Sequence, residues 1–176
     1  MAPRITLRPP AAADAHELAA ASRASRALHR PWITAPTTPE AFRAWRKRLA
    51  QHSRHSRHSQ PTQHSLLACR CDTGEIVGVF NITNIVMGPF RSAYLGYYAF
   101  AGHEQQGLMT EGLRAVVRHA FKVLKLHRLE ANIQPGNTPS IALVRRCGFA
   151  LEGYSPRYLK VGGRWRDHER WAIVAA

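Results

Sequence analysis

Long apolar runs are missing from this chain. The strictly apolar stretches stop at six residues, as at Trp171–Ala176, whereas a helix that crosses a membrane needs ~20. A helical span is therefore not expected. Residues 1–10 lack an apolar h-region, so a secretory signal is not expected either. Cysteine is scarce, with three residues. Cys69 and Cys71 alternate along an apolar stretch, which places both on one face of a strand, where they pair badly as a disulfide. Cys147 stands alone. No Cys-x-x-Cys and no His pair lies beside them, so a metal site is not expected. Reduced thiols and a cytoplasmic location are the expectation.

Acids are the third scarcity. The chain has 25 basic residues against 11 acidic ones, a formal net charge of +14. The excess sits at the two ends: residues 1–60 carry +8, residues 61–110 carry −1 and residues 111–176 carry +7. Such a surface attracts nucleic acid, acidic protein or a polyphosphate-bearing cofactor. Arg outnumbers Lys 21 to 4. Compositional bias explains that preference but not the shortage of acids.

What remains is ordinary globular protein. Hydrophobic residues are 45% and charged residues 20% of 176, and the length predicts one domain over residues 1–176. A chain of this size buries roughly 70% of its unfolded surface. Ile5–Arg8 alternates and reads as a strand. Residues 13–30 read as a helix stopped by Pro31. Thr38-Pro39-Glu40 starts another helix, with Thr38 as N-cap, and Phe42, Trp45 and Leu49 give it one apolar face. A His-Ser-Arg triplet repeat over 52–59 is polar throughout and predicts a flexible loop over 52–63. Residues 65–71 and 75–86 form a hairpin around Asp72-Thr73-Gly74, and 92–100 is the next strand. Leu113, Val116, Val117, Ala120, Phe121 and Leu124 make one wide helical stripe. Residues 129–133 read as a strand, Asn137 to Cys147 as a short helix closed by Gly148, and 150–160 with 165–174 as a hairpin turning at Gly162-Gly163. The order β-α-α-β-β-β-α-β-α-β-β predicts an α+β fold with a mixed sheet.

The segment from Gly102 to Glu111 follows a strand and opens the longest amphipathic helix. A tight loop at a helix N-terminus presents unpaired amides and so suits a phosphate. It is neither a Walker loop, since no Gly-Lys-Ser/Thr follows, nor a dinucleotide fingerprint, since the glycine spacing is wrong.

In order, Gln-Gly-Leu-Met-Thr-Glu-Gly-Leu at 106–113, His127-Arg128-Leu129-Glu130-Ala131, Asn137 to Ser140, Cys147-Gly148-Phe149 and Glu152-Gly153-Tyr154 resemble the GNAT superfamily of acyl-CoA-dependent N-acyltransferases. With Asn81 to Val86, Tyr94-Leu95-Gly96-Tyr97 and Gly163 to His168, the set is most similar to Rim-type (RimJ-like) ribosomal-protein-alanine N-acetyltransferases. The likeness covers more than half of the chain, from Ile76 onward.

The resemblance implies a mostly antiparallel central sheet with helices on both faces. It implies acetyl-CoA as co-substrate and direct transfer to the N-terminal amine of a protein, an alanine-first ribosomal one. The strand at 92–100 would splay from its neighbour and its amides would polarise the thioester carbonyl. Phe100, Gln105, Gln106, Gly107, Leu108, Met109, Thr110, Asn137 and Ser140 would hold the cofactor. Ser140 would protonate the leaving thiolate, and Tyr97 and Asn132 would line the acceptor groove. Glu130 is the first choice for general base, with Glu111, Glu152 or a water relay as the others. Basic chain ends would meet ribosomal RNA. Two departures stand out: Gln105 replaces a family glycine, and Arg157 falls where relatives often carry a carboxylate. The rival readings are a small-amine (polyamine or aminoglycoside) acetyltransferase and a catalytically degenerate domain that binds RNA or the ribosome.

Overall fold

The computed structural model describes residues 2–52 and 62–176. Seven strands form one sheet in the order β1-β2-β3-β4-β5-β7-β6. They are β1 (Ile5–Arg8), β2 (His64–Arg70), β3 (Ile76–Val86), β4 (Ser92–Ala99), β5 (Arg128–Ile133), β6 (Ala150–Val161) and β7 (Arg164–Val174). The helices are α1 (Ala15–Ala24), α2 (Arg26–His29), α3 (Pro39–His52), α4 (Leu108–Lys122) and α5 (Thr138–Arg146). All neighbouring strands run antiparallel except β4 and β5. The mixed, mostly antiparallel sheet of the sequence reading is therefore present. The triplet repeat falls largely in 53–61, outside the described residues.

Helices cover both faces, which explains why β2 and β3 read as apolar runs rather than alternating strands. On one face Leu66, Phe80, Leu95, Leu113, Val116, Val144 and Trp171 form the larger core under α4 and α5. On the other, Leu18, Phe42, Leu67, Val79 and Phe100 form a second core under α1 and α3. A bulge at the β2–β3 register step (Ala68 faces Gly78, Cys69 faces Ile76) lets Val77 and Phe80 share a face. The first turn of α4 lies close on the sheet: a Cβ on Gly78 would sit 2.6 Å from Met109 Sδ.

Two expectations need correction. The single helix over 13–30 is divided at Ser25, whose backbone leaves helical geometry (φ −91°, ψ 8°). Its hydroxyl donates to Ala21 O at 2.6 Å and accepts the Ala101 amide at 2.8 Å. A side chain bonded both to its own helix and to the end of β4 competes with a continuous helix. Cys71 does not share a strand face with Cys69. It lies in the turn beyond β2 and is exposed, where the chain reverses through Asp72-Thr73-Gly74 and the Gly74 amide bonds Arg70 O.

Candidate active site

The site follows from one break in the sheet. β4 pairs with β5 only through Ser92–Arg128, Ala93–Leu129 and Tyr94–Glu130. Beyond Tyr94, β4 stays with β3 as far as Ala99, while β5 stays with β7 as far as Ile133. The strands part, and backbone groups of residues 95–98 that point away from β3 lose a strand partner. The resulting cleft has a volume of about 100 Å³, and its lining includes Gly96, Tyr97, Asn132, Asn137, Ser140 and His168. Trp32 and Ile33, from the segment after α2, close one side. That segment is fixed by the Trp32 and Ile33 amides on His29 O, and by His29 Nε2, which bonds Ala99 O at 2.8 Å.

Tyr97 and Ser140 meet across the cleft, with hydroxyls 2.7 Å apart. Burial pushes the Tyr97 phenol well above its ordinary value, against the opposing pull of Ser140, so the pair holds its protons at neutral pH. Asn137 is the N-cap of α5: its Oδ1 accepts the Ser140 amide at 3.3 Å. The Asn137 NH₂ group is left to donate elsewhere. Asn132 Oδ1 is buried with no partner among the described residues. An orphaned buried acceptor costs ~1–3 kcal/mol.

At the C-terminal end of β4 the chain turns into α4. Gly107 caps the helix in the left-handed region at φ 75° and has no side chain to satisfy the first amides. The first backbone bond of the helix is Glu111 N–H to Gly107 O. The amides of 108–110 are thus free to meet an anion at the positive end of the helix dipole. Gln105, Gln106 and Gly107 are exposed, whereas the Leu108 side chain is in the core. The loop is braced by Gln106 Nε2 donating to Gly102 O at 2.8 Å and by Arg4 Nη1 donating to Gln106 O at 3.2 Å. Gln105 itself has φ 59°, a conformation that suits glycine and strains other residues.

The sequence-chosen residues divide in this frame. Tyr97, Asn132, Asn137 and Ser140 come together in the cleft. Phe100 does not: it is 1% exposed and packed in the second core. Glu130 lies outside the cleft lining and receives Arg128 Nε at 2.8 Å. Arg128 also pairs with Glu152 and holds that carboxyl below the usual range. Glu111 accepts the Arg4 amide at 2.6 Å, the Ile5 amide at 3.1 Å and Arg4 Nε at 3.2 Å. Burial opposes its ionisation, yet these donors still hold it low. Arg157 is exposed at φ 48°, with its amide on Asp167 Oδ1 at 2.7 Å. His168 and Trp32 were missed by sequence reasoning. Only the register of β7 and the path after Pro31 bring them to the cleft, and neither has a local signal.

A sequence profile described as an acetyltransferase (GNAT) domain matches residues 4–150. The chain belongs to the GNAT acetyltransferase family. The [ribosomal protein uS5]-alanine N-acetyltransferase of Escherichia coli is 42% identical over 103 residues, 58% of this chain and 53% of that one. The match thus spans about half the length of this curated relative. Among solved structures, Mycobacterium smegmatis RimJ in complex with CoA-disulfide superposes with a TM-score of 0.88 at 31% identity, covering 97% of this chain and 82% of its own. The ribosomal-protein-S5-alanine acetyltransferase of Vibrio fischeri shares the GNAT fold, with a TM-score of 0.85 at 23% identity over 99% of this chain and 94% of its own. The parted β4 and β5 and the free α4 amides fit a long cofactor with a pyrophosphate at one end and a narrow arm at the other. Among the described residues no group of His, Cys, Asp or Glu could hold a metal ion, and no helix is long and apolar enough to cross a membrane.

Proposed function

We propose that this GNAT protein is an acetyl-CoA-dependent N-acetyltransferase for the N-terminal amine of a protein, with an alanine-first ribosomal protein as the acceptor. The carrying observation is the cleft past Tyr94, in which the Tyr97 and Ser140 hydroxyls meet, on a strand whose C-terminal end leads into the free amides of α4. The pyrophosphate takes the amides of residues 105–110, the Asn137 NH₂ takes a pantetheine carbonyl, and the β4 amides polarise the thioester carbonyl. Ser140, relayed by Tyr97, returns a proton to the leaving sulfur. Transfer is direct, in a ternary complex. The named relatives supply the acceptor class, and the basic chain ends supply a surface for ribosomal RNA in the cytoplasm.

A small polycation is a poorer acceptor, because Glu130, Glu152 and Asp167 already face Arg128 or the Arg157 amide. The reading without catalysis, an RNA- or ribosome-binding module, draws on one observation, the strained Gln105 in the phosphate loop. Saturating acetyl-CoA separates them. At 100 times its dissociation constant it adds ~2.7 kcal/mol, a rise in thermal midpoint of roughly 5–10 °C at this length. An alanine-first peptide then gains one acetyl group by mass. Absence of a shift at millimolar acetyl-CoA refutes the enzyme and favours the binding module.

A further inference from the structure

We infer that His168 is the general base that takes the proton from the acceptor amine, a role that rests on the acetyltransferase reading above. His168 is 3% exposed, lies on β7 beyond the last β5 partner, and lines the cleft with Asn132, Tyr97 and Ser140. Its Nδ1 is 2.9 Å from Arg166 O. A carbonyl only accepts, so Nδ1 carries the hydrogen and Nε2 is left with a bare lone pair. Nε2 has no partner among the described residues, nor is it one of the sealed, unsatisfied atoms. The lone pair therefore opens on the cleft.

The sides of the sheet separate the two proton jobs. Tyr97 packs with the α4–α5 core, and Ser140 belongs to α5, so the proton donor for the sulfur is on that face. His168 stands on the opposite face, in register terms two residues before Arg170, the partner of Asn132. An acceptor entering there meets the base from one side and the thioester through the gap. The surroundings leave His168 as the available titrating group. From β6 the Tyr158 ring lies edge-on at 6.3 Å, and Tyr158 leads to the Tyr94 hydroxyl. From β7 comes Asp167, bound to Tyr154 and the Arg157 amide. From β5 come uncharged Asn132 and Gln134, from α5 Asn137 and Ser140, and from the segment after α2 Trp32 and Ile33. Burial lowers the His168 pKa, with Arg166 O and Asp167 pulling the other way, so the ring is neutral at pH 7 and able to accept.

The protons balance. An ammonium acceptor loses its first proton to Nε2. The nitrogen attacks the thioester carbon, the C–S bond breaks, and the thiolate takes a proton through Ser140 and Tyr97. The nitrogen's second proton replaces the one that pair gave up, and the imidazolium returns its own proton to water.

Two measurements test this. Long-range ¹H–¹⁵N spectra of the free protein read the His168 tautomer without any substrate. A hydrogen on Nδ1 is expected, and a hydrogen on Nε2 overturns the proposal whether or not the peptide is turned over. Kinetics with an alanine-first peptide then compare wild type, His168→Gln and His168→Asn; Asn retains a donor for Arg166 O. A kcat loss of ~10²–10⁴-fold is expected, with acetyl-CoA affinity kept within about twofold. The acid limb of kcat should move up toward the amine's own pKa of ~8, whereas Glu130→Gln keeps the wild-type limb. Unchanged kcat and limb in both His168 variants, or loss of the limb in Glu130→Gln instead, overturns it. A protein that binds acetyl-CoA but acetylates no peptide refutes the function reading, and the tautomer still decides His168.

Discussion

Removal of the Glu111 carboxylate separates a chemical role from a structural one. Its Oε1 accepts two backbone amides, Arg4 at 2.6 Å and Ile5 at 3.1 Å, and its Oε2 accepts Arg4 Nε at 3.2 Å. These bonds tie β1, the edge of the sheet, to the first turn of α4. Glu111→Ala strips one partly buried and one exposed amide of a charged acceptor, at ~1 kcal/mol each. The exposed ion pair adds ~0.5 kcal/mol. The expected loss is about 2–3 kcal/mol, a drop in thermal midpoint of roughly 5–10 °C. Glu111→Gln behaves differently: its carbonyl oxygen can replace Oε1 and serve both amides, but its NH₂ then faces Arg4 Nε, donor to donor. A loss of ~1 kcal/mol is expected, with kcat within about threefold of wild type. Differential scanning fluorimetry and peptide acetylation check both. An unchanged midpoint in Glu111→Ala refutes the tie. Abolished turnover in Glu111→Gln at a preserved midpoint refutes the structural role and makes Glu111 a chemical participant.

Two other outcomes follow from single features. Gln105→Gly relieves a left-handed residue at φ 59° at the cost of a freer unfolded chain, so stability should shift by less than ~1 kcal/mol. Acetyl-CoA affinity by calorimetry should stay within about threefold, because the loop already has the required shape; a tenfold tightening would show that Gln105 obstructs the cofactor. Burial lowers the pKa values of His29, His64, His119 and His168. Below about pH 6.5 the unfolded chain binds protons that the folded chain refuses, so stability falls as pH drops toward the folded pKa values and is level above pH 7. Asp14, Glu111 and Glu152 are held low and stay charged in that window. The thermal midpoint should therefore decline from pH 7 to pH 5, and a flat profile refutes the buried-histidine account.

Local rules reached the elements but not their junctions. Thr38 accepts the Ala41 amide at 3.1 Å, and Gly162 and Gly163 turn the last hairpin at φ 57° and 80°. Both were legible because a cap and a tight turn are determined within four residues. Periodicity likewise found the buried stripe of α4, from Leu113 to Ala120. The break at Ser25 was not legible, because it depends on Ala101, 76 residues away. The site followed the same division. Asn137 and Ser140 sit in one helical cap, and Gly107 opens one helix, so their neighbourhoods are local. Sequence alone points to Glu130 as base, because a carboxylate on the correct strand is all that it displays. The Arg128 that occupies it is two residues away on the same face, at the i, i+2 spacing of a strand. That spacing was available to read, whereas the second partner, Glu152, depends on how β6 comes back beside β7.

The positions of the paired carboxylates also bear on what the cleft can accept. Arg128 bridges Glu130 and Glu152, and these two acids are the ones that the sequence offered as alternatives on the β5 and β6 strands. Replacing Arg128 would release two negative charges at once beside Tyr94, whose phenol is already pushed up to about 12, by Tyr158 first, then by burial and by Glu130. An acidic edge of that kind would attract a polycation. The single guanidinium thus offsets one of the two carboxylate charges on this edge of an otherwise basic molecule. Under the proposed function, an acceptor that approaches it would be chosen by the shape around Trp32 and Asn132 and by one amine, not by summed positive charge.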